Sequence, residues 1–259
     1  MVWEYFLFVL GIYLLIKSSD VIVEGASALA KKFGISAIVI GLTVVAFGTS
    51  LPELIVNLFA SLEGSSEIVF GNILGSNMAN ILLVLGISAI IGKIVLHVPT
   101  VWNQLPFALF ATFILFILSR ASLSSGSPAY LHFNDGIILL SFFGLFIYYI
   151  FQRMKEDKSS FKIDEILHES NKEISLKLFF GLLGIYFAGQ WVVNGAIFIA
   201  SQLGVGEFLI SATIIALGTS LPELAVCVSA VRKKETDLAV GNIIGSNVFN
   251  ILLVMGIIP

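Results

Sequence analysis

Long apolar runs alternate with short polar segments along the whole chain. Crossing the roughly 30 Å apolar core of a bilayer takes about 20 apolar residues in a helix. The runs predict about eight transmembrane helices, at residues 2–28, 35–61, 68–91, 105–119, 134–151, 176–201, 208–231 and 238–258. The sequence therefore predicts an all-α polytopic membrane protein.

The composition agrees with this pattern. Hydrophobic residues make up 58% of the chain and charged residues 12%, and the mean hydropathy is +1.01, which excludes an ordinary soluble domain. The first apolar run follows Glu4 rather than lysines and has no small-residue cleavage site, so we expect a retained helix and no signal peptide. The single cysteine, Cys227, excludes an intramolecular disulfide.

The basic residues predict the orientation in the membrane. All 14 lysines and arginines except Arg120 flank the spans on one side or lie in the loops after spans one, three, five and seven. Lys and Arg accumulate in cytoplasmic loops. We therefore expect a multi-pass protein of the cell membrane with its N-terminus outside and the long polar stretch 152–175 in the cytoplasm.

An internal repeat divides the chain around that stretch. Shifted by 170 residues, 11–89 matches 181–259 at about 31 of 79 positions without a gap. Five predicted spans separate equivalent points, so the two copies enter the membrane in opposite senses, as in inverted-repeat transporters. The predicted organisation is a first repeat at 1–151 with five helices, a cytoplasmic linker at 152–175, and a second repeat at 176–259 with three. The sequence leaves open whether a complete second repeat would carry two further helices.

The sequence GTSLPEL occurs at 48–54 and again at 218–224, each time inside an apolar run. Each copy places a carboxylate, Glu53 or Glu223, at membrane depth, where charged side chains are costly and usually functional. The adjacent proline lacks an N–H and frees a backbone carbonyl four residues earlier. Together with the neighbouring hydroxyls, these groups form an oxygen-rich set that suits hard cations such as Ca²⁺. The two copies predict two halves of one cation site.

A second duplicated motif follows, GNILGSNMANILLVLG at 71–86 and GNIIGSNVFNILLVMG at 241–256. In each copy a serine and an asparagine are four residues apart and share a helix face: Ser76 with Asn80, and Ser246 with Asn250. Such residues often serve only to join helices by hydrogen bonds. Their fixed spacing from a proline-flanked carboxylate, in both copies, favours a role in the site.

These paired motifs resemble the two alpha-repeats of the sodium/calcium exchanger branch of the calcium/cation antiporter superfamily, and most of all its prokaryotic short-loop members. The resemblance covers nearly the whole chain and implies an antiporter of ten spans, of which the last two would be absent here. It implies Ca²⁺ ligation by Glu53 and Glu223 with the backbone oxygens of Thr49 and Thr219. The implied Na⁺ ligands are Ser50, Ser220, Ser76, Ser246, Asn80 and the carbonyls of Ala46 and Ala216. Asn250 stands where some members carry aspartate.

Charge balance supports exchange independently of the resemblance. Two carboxylates neutralise one Ca²⁺, whereas an emptied site would leave two bare charges in a low-dielectric interior, at a cost of several kcal/mol per ion. Refilling with Na⁺ or H⁺ removes that cost. We therefore expect an antiporter of Ca²⁺ and Na⁺, acting as a monomer in the lipid bilayer, with no enzymatic activity, no cofactor and no nucleic-acid partner.

Three alternatives remain at this stage. A proton-coupled calcium/cation antiporter of the same superfamily is the nearest, although its motif typically carries an asparagine ahead of the glutamate. A cation channel would lack stoichiometric coupling, and a membrane scaffold would not need duplicated buried carboxylates. Lys17, Asp20 and Glu24 share a face of the first span, but their counterparts in the second repeat, Phe187, Gln190 and Asn194, are uncharged. This difference favours an interfacial ion-pair cluster over a transport site.

Overall fold

The computed structural model describes residues 2–98, 100–123, 131–160, 169–206 and 216–258. The described residues form ten helices and no strand. Their bounds are α1 Val2–Phe33, α2 Ala37–Thr49, α3 Leu51–Leu62, α4 Ser66–Ile91, α5 100–123, α6 Phe133–Ser160, α7 Asn171–Gln202, α8 Ala216–Gly218, α9 Leu221–Arg232 and α10 Thr236–Ile257. The predicted all-α membrane fold is confirmed.

The number of spans can be compared with the prediction only in part. Within the described ranges six helices are long and apolar enough to cross a membrane, or seven if α2 and α3 are one bent span. The short helix α8 follows residues 207–215, which lie outside the described residues, so the predicted span 208–231 is seen only from residue 216 onward. The predicted short span 105–119 belongs to a longer helix that starts with a wide π-helical turn at Thr100–Gln104.

Helices extend into both ends of the predicted linker. Residues 152–160 prolong α6, where Arg153 pairs with Glu156 one turn later at 2.8 Å. At the other end Ser170 caps α7 through a reciprocal pair of hydrogen bonds with Glu173, an arrangement that fixes a helix start. Residues 161–168 lie outside the described residues, so the remainder of the linker prediction is untested.

The repeat is visible in the helix bounds themselves. The ends of α1, α3 and α4 recur about 170 residues later in α7, α9 and α10. Helices α1 and α7 are each followed by a glycine in the left-handed conformation, Gly34 with φ 62° and Gly204 with φ 74°. This conformation is energetically less favourable for other residues. The helix bounds therefore repeat along the chain, as expected for the predicted inverted-repeat fold.

The centre of the fold is the crossing of α2 with α10. Glycines on both helices allow the close approach: a Cβ on Gly41 would lie 2.6 Å from the carbonyl oxygen of Leu238, and one on Gly245 would lie 2.7 Å from that of Leu42. The missing side chains let the two backbones touch. Helix α10 is almost completely buried, because α5 and α6 cover its other faces. The two GTSLPEL copies flank this crossing.

Candidate functional site

Each GTSLPEL copy breaks its helix in the same way. Between α2 and α3 the axis bends by 44°. The hinge residue Ser50 has φ −86° and ψ 4°, and its counterpart Ser220 has φ −88° and ψ 2°. Pro52 and Pro222 occupy the first turn of α3 and α9, where a missing N–H removes no helical bond. The break therefore sets a new helix N-terminus beside each carboxylate, in the field that favours negative charge.

Both carboxylates are completely buried, and neither meets a cationic side chain in the part of the chain that the structure describes. Glu223 Oε1 accepts hydrogen bonds from the hydroxyls of Ser50 and Ser246, each at 3.3 Å, whereas its Oε2 has no partner. Both oxygens of Glu53 lack a partner. Two buried, uncompensated carboxylates are strongly destabilising unless positive charge joins them. The arrangement therefore calls for a cation between the repeats.

The hydroxyl groups pair across the two repeats. Thr49 Oγ1 lies 3.3 Å from Ser246 Oγ and donates to Asn242 Oδ1 at 3.1 Å. In the symmetric position, Thr219 Oγ1 lies 3.3 Å from Ser76 Oγ and 3.5 Å from Asn72 Oδ1. Each threonine of one GTSLPEL copy is thus oriented by the serine and the first asparagine of the opposite GN-GSN motif.

The asparagines also pair across the two repeats. Asn80 donates its amide to Asn247 Oδ1 at 3.0 Å, and Asn250 donates to Asn77 Oδ1 at 3.1 Å. Because each amide nitrogen is used in this way, the carbonyl oxygens of Asn80 and Asn250 face away from these bonds. Both oxygens are buried without a partner. The network therefore presents two oriented carbonyl oxygens at these positions.

Wide helical turns place these asparagines. Helix α4 widens into a π-helical segment at Asn80–Val84, and α10 does so at Phe249–Val254. Helix α2 has a similar segment at Gly41–Val45. An extra residue in a turn rotates the following side chains, and such bulges occur frequently at functional sites. All three lie next to the α2–α10 crossing.

Six buried oxygen atoms of the predicted site residues lack a hydrogen-bond partner. They are Oε1 and Oε2 of Glu53, Oε2 of Glu223, Oδ1 of Asn80, Oδ1 of Asn250 and Oγ of Ser220. Buried polar groups are normally satisfied, so this concentration of free acceptors is unusual. Carboxylate, amide and hydroxyl oxygens are the ligands of hard cations. Among the described residues no three His, Cys, Asp or Glu side chains converge, so a cation held here would have the two carboxylates and otherwise neutral oxygens around it.

The structure brings most of the predicted residues together but adds detail at the alanines. The carbonyl oxygen of Ala46 already accepts from Ser50 N at 3.0 Å and lies 3.3 Å from Thr49 Oγ1. Ala216 begins the short helix α8, and only its backbone is described. Four residues of the network are missed by the sequence reasoning, namely Asn72, Asn77, Asn242 and Asn247. These asparagines recur exactly in both copies of the GN and GSN motifs, and this repetition could have identified them. The sequence reasoning assigned roles only to the glycines and serines of these motifs.

Comparison with known proteins places the chain in a family. Its sequence matches the family described as sodium/calcium exchanger protein over residues 3–152 and 175–258. It is 38% identical over 262 residues to inner membrane protein YrbG of Escherichia coli strain K12, covering 97% of this chain and 78% of that protein. It is 32% identical over 292 residues to sodium/calcium exchanger MaX1 of Methanosarcina acetivorans, covering 98% of this chain and 82% of that exchanger.

The fold leads to the same family. A solved structure of the sodium-calcium exchanger NCX_Mj, soaked with Na⁺ and Sr²⁺, superposes with a TM-score of 0.82 at 34% identity, covering 99% of this chain and 81% of that one. Sequence, fold and the buried acidic site agree. This multi-span membrane protein belongs to the sodium/calcium exchanger family and is a Ca²⁺/cation antiporter.

Proposed function

We propose that the chain exchanges Ca²⁺ for Na⁺ through a site built from Glu53, Glu223 and the surrounding hydroxyl, amide and backbone oxygens of both repeats. The observation that carries this proposal is the pair of buried carboxylates with three unpartnered oxygens between them. One Ca²⁺ would neutralise both charges. The ligand set proposed is Glu53, Glu223, Thr49, Thr219, Ser50, Ser220, Ser76, Ser246, Asn80, Asn250, Ala46 and Ala216.

Na⁺ is proposed as the exchanged ion because of the neutral acceptors. A proton arriving from solution would need only the two carboxylates. Protonation of the glutamates would leave the free oxygens of Asn80, Asn250 and Ser220 without a partner. An amide oxygen does not itself take up a proton near neutral pH. Na⁺, by contrast, uses neutral oxygen ligands. The name of the relative MaX1, a sodium/calcium exchanger, supports the same choice.

The test is ion flux in sealed vesicles. We expect ⁴⁵Ca²⁺ uptake that depends on an outward Na⁺ gradient and collapses when Na⁺ is equal on both sides. A matched experiment replaces the Na⁺ gradient with a pH gradient in Na⁺-free buffer. Uptake driven by the pH gradient alone would replace Na⁺ by H⁺ in the proposal, and uptake without any gradient would indicate a channel instead.

The membrane orientation provides a further prediction. Leu62 ends α3 and its repeat counterpart Arg232 ends α9, and both are exposed. In a Cys227→Ser background, Leu62→Cys should react with a membrane-impermeant thiol reagent from outside the cell and Arg232→Cys from the cytoplasm. The two substitutions are matched because the residues occupy the same position in the two repeats. Labelling of both from one side would contradict the inverted arrangement.

The reciprocal asparagine hydrogen bonds predict the effect of two matched substitutions on the affinity for Ca²⁺. Asn77→Ala and Asn247→Ala each remove the acceptor that orients an asparagine of the other repeat. Loss of a group that orients a metal ligand typically costs about 10- to 100-fold in affinity. We expect the Ca²⁺ concentration for half-maximal exchange to rise by at least about tenfold in both variants. Thr112→Ala, on the exposed face of α5, is the control; equal values in all three would remove the two asparagines from the site.

A further inference from the structure

The N-terminal helix is tied to the loop after α9 by a lysine. Lys233 Nζ lies 2.7 Å from Glu24 Oε1 and donates to the backbone carbonyl of Asp20 at 3.0 Å. The Asp20 carboxylate in turn accepts the hydroxyl of Ser229 at 2.5 Å. One cation and one hydroxyl from the second repeat therefore hold Asp20 and Glu24 of α1. All four residues lie at the end of the molecule that is cytoplasmic in the proposed orientation.

This network revises the ion-pair cluster predicted on α1. Lys177 of α7 lies 3.8 Å from Glu24 Oε2 and 2.8 Å from Glu169 Oε1. Asp20 and Glu24 form ion pairs as predicted, whereas Lys17 forms none among the described residues and lies over the ring of Tyr13, 5.9 Å from its centroid. The partners come from distant parts of the chain, so helix spacing alone could not identify them.

The same place in the other repeat is an open cavity. A cavity of about 230 Å³ extends from Thr219 and Pro52, beside the ion site, along α7 past Gln190 and Asn194. Both of these α7 residues are exposed. Their counterparts 170 positions earlier are Asp20 and Glu24. The residues that line the cavity on the outer side are therefore the equivalents of those that Lys233 holds on the inner side.

The inner counterpart of this cavity stops short of the ion site. A cavity of about 270 Å³ is lined there by Glu24, Ser27 and Lys233 among others. Its lining does not include Gly48, Thr49 or Pro222, the counterparts of the residues through which the outer cavity reaches the site. The atoms nearest to a Cβ on Gly48 belong to Leu182, whereas those nearest to a Cβ on its counterpart Gly218 belong to Val193. The counterpart of Leu182 is Ile12, which is 40% exposed. The two repeats thus have the same sequence pattern in two conformations, one closed over the site and one open.

Inverted repeats allow the opposite state to be inferred, because alternating access exchanges the conformations of the two halves. We propose that Asp20 and Glu24 line the cytoplasmic ion pathway when it opens, and that Lys233 keeps this pathway closed here by occupying them. The proposal rests on the antiport function proposed above. Cations leaving or approaching from the cytoplasm would meet two carboxylates, whereas on the outside they meet the neutral Gln190 and Asn194.

Lys233 has no counterpart on the outer side. The residue 170 positions earlier is Glu63, which forms no ion pair among the described residues. The contacts of Lys233 with Asp20 and Glu24, called the lock below, are therefore present only on the cytoplasmic side. The lock should bias the resting protein toward the conformation that is open to the outside.

The experiment measures accessibility from each side in a Cys227→Ser background. The inner reporter is Ser19→Cys, an isosteric change at a buried position, and the variant is Lys233→Gln. We expect the rate of labelling of Ser19→Cys by a thiol reagent supplied from the cytoplasmic side to rise about threefold, the order expected for a partly exposed ion pair. Lys234→Gln is the matched control, because it removes the same charge from the same exposed loop without touching α1.

A second reporter tests the exchange of conformations. Gly189→Cys lies in the outer cavity with room for a side chain, and Lys233→Gln should slow its labelling from outside. Unchanged labelling in Lys233→Gln, or equal changes in Lys234→Gln, would overturn the lock.

These readouts are independent of transport. Labelling that shifts as expected in a protein that fails the Na⁺-gradient test would retain the lock and reject the proposed function. Normal exchange with unaltered labelling would do the reverse. Na⁺-driven flux in Lys233→Gln adds a directional test: half-maximal exchange from the cytoplasmic side should need less Ca²⁺, because the two carboxylates are no longer occupied by the lysine.

Discussion

Replacing Glu53 or Glu223 by glutamine should abolish Ca²⁺ exchange while leaving membrane insertion intact. Each substitution removes half of the negative charge that balances Ca²⁺ in a completely buried site. Loss of one partner from a buried charge pair costs about 2–5 kcal/mol, which corresponds to roughly 30-fold to several thousandfold in affinity. The measurement is ⁴⁵Ca²⁺ exchange in vesicles containing equal amounts of each variant.

Glu63→Gln provides the matched control. Glu63 is an exposed carboxylate that follows directly after α3, so the substitution removes the same charge outside the buried site. It should exchange Ca²⁺ like the parent. Near-parental exchange by Glu53→Gln and by Glu223→Gln would contradict the proposed two-carboxylate site, whatever the control shows. The Glu223 variant should also shift the hydroxyls of Ser50 and Ser246, which now donate to a carboxylate.

The second large effect is expected at the α2–α10 crossing. A methyl group on Gly245 would lie 2.6 Å from Ala46 Cβ and 2.7 Å from the Leu42 carbonyl oxygen, so Gly245→Ala forces the two backbones apart. Overpacking of this kind costs about 1–3 kcal/mol. It also displaces Ser246, the next residue, from Thr49 and Glu223. We expect a lower Tm in detergent and a loss of exchange that exceeds the loss of folded protein.

Gly144→Ala separates packing from the general effect of an added methyl group. Gly144 lies on the exposed side of α6, and a Cβ at this position would have no described atom within 4 Å. Because alanine is also the better helix former, this variant should keep or slightly raise the Tm. A Gly245→Ala protein that melts and exchanges like Gly144→Ala would show that the crossing tolerates a wider spacing than the structure has.

The repeat made much of this architecture predictable. The exact recurrence of GTSLPEL, with an odd number of predicted spans between the copies, predicts both the inverted relation of the repeats and one site shared by Glu53 and Glu223. The helix limits followed from apolar runs, because apolar length is the dominant constraint in a bilayer. Resemblance to a known family supplied the roles of the serines and of Asn80, which no spacing argument could assign.

The contacts that join the two repeats were beyond the sequence. Asn77 and Asn247 differ in no local property from residues that merely link helices, and their role depends on a partner about 170 residues away. Lys233 is similar, since a lysine at a helix end is ordinarily solvated. Helical periodicity finds neighbours within one turn, whereas these pairs exist only after the two halves have packed.

The reciprocal asparagine bonds have a consequence for the origin of the fold. Asn77 accepts from Asn250, and Asn247 accepts from Asn80. Because Asn77 is equivalent to Asn247 and Asn80 to Asn250, the same contact is made twice, once in each direction. That reciprocity defines an isologous interface between two identical subunits. Two separate copies of a single repeat, inserted in opposite orientations, would form the same bonds and complete the same site. Fusion into one chain preserves a dimer interface and frees each half to diverge, and Lys233 opposite Glu63 is one place where it has done so.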